Sequence, residues 1–318
     1  MPEFANEVQR PLRRLWERGA AMIHTEVRYP PGAITGSVRR KASQDVRSGD
    51  DGERWTVVIP FHNERTFLPL VLRSIATQHE RLKLILVDNA STDRSSELAR
   101  QLCDDLGLSA THVREAQPGK VAALQRGLEE VATEFVATCD ADTFYPADYL
   151  TVGQRLLSTP GAVAAIAANC DLGAAGWAAR MAGLRLSLTA RLLQQQCLNG
   201  GASQVFRTSA LQRCGGFDPA IWNWVLEDHE VMARIALHGQ IAYGRDFLCH
   251  PSQRPRSVNC TGWTLIEQVR YHATAPSERV AYFHEFLAPR LRARALSSER
   301  LRRQDTASLE RDVRCLHG

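Results

Sequence analysis

The sequence predicts an α/β protein whose mostly parallel central sheet is covered by helices on both faces. Two observations carry this expectation. Short apolar, β-rich runs alternate with segments of helical period along the first half of the chain, as in successive βαβ units. Three of those runs also end in polar clusters, Phe61-His62-Asn63-Glu64, Asp88-Asn89-Ala90 and Asp140-Ala141-Asp142. Sheets of this kind bind ligands at the carboxyl ends of their strands.

The elements follow in order. Residues 55 to 60 (WTVVIP) read as a buried strand ended by proline. Leu68, Val71, Leu72 and Ile75 recur at the spacing of an amphipathic helix. Residues 82 to 87 form a second strand. Ser91-Thr92-Asp93 offers a cap to a helix lined by Leu98, Leu102 and Leu106 and stopped at Gly107. A weaker strand covers 110 to 113. Val121, Leu124, Leu128 and Val131 line a helix from about Gly119, and the strand 135 to 139 runs into Asp140. Beyond it come a strand at 162 to 168 and a helix from Trp177 to Gln196 carrying Met181, Leu184, Leu188 and Leu192. Asn199-Gly200-Gly201 breaks the chain before a strand at 203 to 206, and Gly215-Gly216-Phe217-Asp218-Pro219 is a turn. Glu227 to His238 is a helix with a Gly239 stop, and the tail from about Ile266 is helical and arginine-rich.

The expected organisation is an arm and linker over 1–54, a catalytic domain over 55–260, and a basic helical extension over 261–318. The domain divides into two halves, 55–145 and 146–260. The 318 residues are ample for a large core, and 44% hydrophobic with 23% charged residues is ordinary globular composition. A net charge of +4 does not point to nucleic acid. The positive charges are concentrated at the ends, in Arg10, Arg13, Arg14, Arg18, Arg39, Arg40 and Lys41, and in Arg290, Arg292, Arg294, Arg300, Arg302 and Arg303. Such runs suit a solvated helix face or an anionic membrane surface. The eight cysteines show no C-x-x-C pair, as expected of a reduced cytoplasmic protein. Met1 to Arg18 lacks the apolar core of a signal peptide, and apolar stretches such as Gly161 to Ala168 are too short to cross a bilayer, so at most a peripheral membrane contact is expected.

Asp140 and Asp142, one residue apart at a strand end, can converge on one target. Hard cations, Mn²⁺ or Mg²⁺, take such oxygen ligands and share their shell with substrate phosphates. Asp88 ends another strand and can accept hydrogen bonds from a base or ribose, beside the N–H groups of a helix start. Glu227-Asp228 opens a helix whose positive end keeps an acid ionised, ready to take a proton. Lys120 follows Gly119 without the earlier glycine of a P-loop. His250 suits a metal ligand or a buried structural histidine. Gln253-Arg254-Pro255-Arg256 suits a phosphate clamp or a solvated loop.

These segments together resemble the family 2 glycosyltransferases. The resemblance runs from Trp55 to Gly244, through VVIPFHNE (57–64), ILVDNASTD (85–93), GKVAALQRGL (119–128), CDADT (139–143), NGGASQVFRTSALQRCGGFD (199–218) and LEDHEVMARIALHG (226–239). It implies a GT-A-type nucleotide-binding fold and transfer of a sugar, with inversion, from a nucleoside-diphosphate sugar donor bound by 55–145 to a saccharide, lipid-linked or small-molecule acceptor bound by 146–260. Carried over to this chain, Asp88 is the base-binding acid and Pro60 to Glu64, with His62, lie beside the nucleotide. Asp140 and Asp142 hold ribose and metal, Asp142 as the direct ligand, and Asp228 is the general base. Processive members carry Q-x-x-R-W. Gln253 and Arg256 keep that spacing, but Ser257 stands in place of Trp, which favours a single transfer. Two other classes share parts of this layout: a sugar-nucleotide pyrophosphorylase-like nucleotidyltransferase, and a non-catalytic nucleotide-binding relative. The first needs a basic glycine-rich loop that Phe61-His62-Asn63-Glu64 lacks. The intact acids at 88, 140, 142 and 228 argue against the second.

Overall fold

A computed structural model describes residues 52–171, 176–193, 195–200, 203–252 and 263–300. Residues 1–51 of the expected 1–54 arm, the Gln253 to Ser257 segment, Gly201 and the basic residues Arg302 and Arg303 lie outside the described residues.

Trp55–Phe61 (β1) is apolar on both faces because it lies inside the sheet. It pairs in parallel with Leu82–Asp88 (β2) on one side and Phe135–Thr138 (β4) on the other, and Ala110–Arg114 (β3) extends the sheet beyond β2. Past β4 comes the antiparallel Gln204–Arg207 (β7), then Ala162–Asn169 (β6), Gln240–Pro251 (β8) and the two-residue Thr143–Phe144 (β5). The resulting eight-stranded order among the described residues is β3-β2-β1-β4-β7-β6-β8-β5.

Strand alternation sorts side chains to two cores. Trp55, Val57 and Ile59 face Leu68–Ala76 (α1), Ser95–Leu106 (α2) and Tyr149–Leu157 (α4). Val58, Ile85, Val87 and Val136 face Lys120–Leu128 (α3), Thr208–Arg213 (α6) and Glu227–Ile235 (α7). The periodic residues Leu68, Val71, Leu72 and Ile75 are all buried, as their spacing requires. Val131, by contrast, falls past the end of its helix but still joins the second core.

A third core lies toward the carboxyl end. Leu265–Ala273 (α8) opens on a capping box, in which Thr264 Oγ1 accepts from the Glu267 N–H and Glu267 Oε2 accepts from the Thr264 N–H. Arg279–Ala281 (α9), a π-helical turn at Tyr282–Leu287 and Ala288–Ala293 (α10) follow. Tyr271, Tyr282, Phe283, Leu287 and Leu291 pack there against Trp222 and Ala233. These helices therefore brace α7.

One helix carries an exposed apolar row. Gly176–Leu192 (α5) forms about where the sequence places it, but Trp177, Met181, Leu188 and Leu192 are exposed rather than buried. Its contact with β8 is made through Gly183, where an added Cβ would sit 2.0 Å from the Arg245 carbonyl oxygen. Only glycine permits that approach, and it turns the leucine and methionine row outward. Among the described residues no helix is long and apolar enough to cross a membrane.

Candidate active site

The loops after β1 and β2 are tied to each other. Asn63 takes a left-handed backbone (φ 52°), its N–H donates to Ser91 Oγ and its Oδ1 accepts from the Thr92 N–H at 2.8 Å. The Arg65 N–H donates to Asp93 Oδ2. Asp88 is 9% exposed, and its Oδ1 accepts from the Ser91 N–H at 2.8 Å. The neighbouring Asn89 is buried and joins three loops. Its N–H donates to the Phe61 carbonyl, its Nδ2 to the Glu115 and Gln117 carbonyls, and its Oδ1 accepts from the Gly119 N–H. His62 and Glu64 thus stand in a loop tied to the one after Asp88, while Pro60 lies within β1 opposite Val87. Sequence reasoning gave Asn89 no role of its own, because a single buried amide has no spacing to betray it.

The same network sets the start of α3, whose first residue is Lys120. Its Nζ lies 2.7 Å from Asp140 Oδ1, just past β4, and 3.6 Å from Glu227 Oε1 at the start of α7. Burial works against the ammonium charge, but the Asp140, Glu227 and Asp228 carboxylates outweigh it and raise the Lys120 pKa above its ordinary value. Burial and the nearby Asp228 raise the pKa of Glu227, opposed by Lys120. Lys120, Asp140, Gln204, Glu227 and Asp228 share the lining of a cavity of about 10 Å³, the space of roughly one water.

Glu227 and Asp228 are aimed by backbone. Leu226, the residue before the helix, adopts a left-handed conformation (φ 66°) that a bulky side chain rarely takes. Asp228 is 9% exposed. Its Oδ1 accepts from the His229 N–H at 2.8 Å and from His229 Nδ1 at 2.9 Å. The His229 ring in turn meets Trp263 and Tyr271 of the third core edge-on. Asp228 Oδ2 lies against Gly200, where a Cβ would come within 2.3 Å of it. Gln204 Nε2 donates to the Asp228 carbonyl.

Asp142 stands apart from this cluster. Its Oδ2 accepts from Ser252 Oγ at 3.0 Å and its carbonyl from the Ser252 N–H, where β5 meets β8. His250 lies opposite Phe144 in that pairing, and its Nδ1 donates to the Cys170 carbonyl at 3.0 Å. No three His, Cys, Asp or Glu side chains gather into a metal-sized cluster among the described residues. A hard divalent cation fits this donor set in one way, held by one or two carboxylates with substrate phosphates and water completing its shell. Burial pushes the Cys139, Cys197 and Cys249 thiols upward, away from the thiolate form.

Comparison with known proteins gives consistent results. The sequence model of glycosyl transferase family 2 matches residues 56–218, just over half of the chain. An undecaprenyl-phosphate 4-deoxy-4-formamido-L-arabinose transferase of Pseudomonas savastanoi pv. phaseolicola is 33% identical over 96 residues, 29% of this chain and 28% of the relative. Across the curated relatives compared, the matched stretch spans between 14% and 29% of their own length. A mannosyltransferase of Pyrobaculum calidifontis in complex with GDP-Man and Mn²⁺ superposes with a TM-score of 0.59 at 20% identity, covering 89% of this chain and 79% of that one. TarS of S. aureus in complex with UDP-GlcNAc superposes with a TM-score of 0.50 at 15% identity, covering 74% and 71%. At these identities the likeness to solved structures is one of fold, the GT-A type.

Proposed function

Because the chain belongs to glycosyl transferase family 2, we propose that it moves a sugar from a nucleoside-diphosphate donor to an acceptor hydroxyl, with inversion. The observation that carries this reading is the convergence of Asp140, Glu227 and Asp228 on Lys120 at the carboxyl ends of the strands, beside the Asp88 loop.

Asp88 and the Pro60 to Glu64 loop hold the base, and Asp140 the ribose. Asp142 is the metal ligand, with His250 flanking it on the same strand pair. A divalent cation, Mn²⁺ or Mg²⁺, held there by Asp142 would neutralise charge developing on the diphosphate. Asp228, fixed by His229, takes the proton of the acceptor hydroxyl. The acceptor oxygen then forms its bond to the anomeric carbon on the face opposite the diphosphate. The bond from that carbon to the phosphate oxygen breaks, and its electron pair leaves with the nucleoside diphosphate. Lys120 keeps the acids around the reacting centre from repelling one another.

A saccharide, a lipid-linked glycan or a small molecule would suit the acceptor side. The relative named for undecaprenyl phosphate supports the lipid-linked case, as does the membrane-surface contact expected from the basic termini. The test is a panel of nucleoside-diphosphate sugars, assayed with and without Mn²⁺ for thermal stabilisation and for nucleoside diphosphate release. One donor should stabilise the protein and turn over slowly to water. If no donor stabilises it, or if pyrophosphate exchange appears instead, the reading fails.

A further inference from the structure

We propose that α5 is an in-plane docking helix for an anionic lipid surface. At about 100° per residue, Trp177, Met181, Leu184, Leu188 and Leu192 fall within an arc of roughly 80° on one side of this helix. Trp177 is 72% exposed and Leu192 84%, with Met181 and Leu188 about half exposed. Arg180 and Arg191 border the stripe on one margin and Arg185 on the other, all three exposed, and α5 contains no acid. An apolar stripe with a tryptophan, flanked by arginines, is the pattern of a helix seated at the boundary of headgroups and acyl chains. At 17 residues it is about 25 Å long.

The charges select among occupants. A second copy of this chain, paired face to face about a twofold axis, would set arginine margins against arginine margins. The N-terminal arm of this chain is also rich in arginine. Anionic lipid headgroups complement the stripe and its margins together.

A separate observation points the same way. On α8, Leu265 and Ile266 are each 76% exposed and Val269 61%. His272 of α8 and Arg185, Leu186 and Leu193 at the α5 side line one cleft of about 390 Å³. Asn199 also lines it, next to Gly200, which touches Asp228. Residues from both helices with outward apolar rows therefore line one cleft, and its lining residue Asn199 precedes Gly200, whose backbone lies against the proposed base. That arrangement rests on the assignment of Asp228, whereas the docking face does not.

The test is sedimentation of the full chain with phosphatidylcholine vesicles containing one third phosphatidylglycerol. The wild-type chain should bind, and binding should weaken with salt. The triple substitution Trp177→Ser, Leu188→Ser, Leu192→Ser should weaken binding at least about tenfold. Arg180→Gln and Arg191→Gln should each weaken it roughly fivefold, and only on the anionic vesicles. Since these residues are exposed, lipid-free release of nucleoside diphosphate from the donor should stay unchanged in every variant, which separates this proposal from the catalytic reading. Three results would overturn it: no binding by the wild-type chain, unaltered binding by the triple variant, or concentration-dependent self-association that the triple variant abolishes.

Discussion

Lys120 Nζ sits 2.7 Å from Asp140 Oδ1 and joins the end of β4 to the start of α7 through Glu227. One cation thereby serves acids from two distant parts of the chain. Removing it as Lys120→Gln should raise the pKa of Glu227 and Asp228, because an opposite charge favours the ionised form. The acidic limb of the kcat/KM profile should move upward by about one pH unit. An unmoved limb would show that Lys120 does not act on the base.

Asp228→Asn keeps the side-chain shape and the contact with His229 but removes the proton acceptor. Transfer should fall by about 10²- to 10⁴-fold, while donor affinity measured by calorimetry stays near that of the wild-type chain. Near-normal turnover would remove Asp228 from the mechanism.

Gly200→Ala addresses the same carboxylate from outside. The new Cβ would lie 2.3 Å from Asp228 Oδ2, so the carboxylate must swing out of place. The expected loss is at least tenfold in kcat, with a cost in stability of about 1–3 kcal/mol. Full activity in the folded variant would mean that the carboxylate position is not critical.

Asp142→Ala should weaken donor binding in the presence of Mn²⁺ and leave metal-free binding little changed. Calorimetry with and without the ion separates the two. Equal weakening under both conditions would argue against a ligand role for Asp142.

Glu230, 1% exposed, is bound by Arg234 through Nε and Nη2 at 2.7 Å each, and by His284 Nε2 at 2.9 Å. Arg234 also reaches the carbonyls of Cys214 and Gly216. Burial acts to raise the Glu230 pKa, but hydrogen bonds from His284 and Arg234 hold it below the ordinary value. A depressed folded pKa gives stability that is complete above the unfolded value, about 4.3, and is lost as pH falls toward the folded one. Arg234→Met strands a buried carboxylate and should cost about 3–5 kcal/mol at neutral pH. Thermal melts of the wild-type chain and of Glu230→Gln should converge as the pH drops below about 4; parallel curves would refute the assignment.

The alternation of apolar runs and helical periods was enough to place β1 to β4 and α1 to α3, since each depends on residues a few positions apart. The clusters at 88, 140 and 228 were legible for the same reason: each is a local string at the end of an element. Other features had no local trace. Lys120 holding Asp140 and Glu227, Asn89 joining three loops, and Gly200 pressed on Asp228 pair residues far apart in sequence. Their contacts exist only once the sheet has ordered its strands. The row at Trp177, Met181, Leu184, Leu188 and Leu192 read correctly as a helix, yet periodicity fixes a stripe and not its destination. Only the tertiary structure decided that Gly183 would meet β8 and turn that stripe outward, because a Cβ added there would lie 2.0 Å from the Arg245 carbonyl oxygen. Asp140-Ala141-Asp142 shows the same division. The sequence marked both carboxylates as a polar strand end, and the packing of α3 and β8 sent one to Lys120 and the other to Ser252.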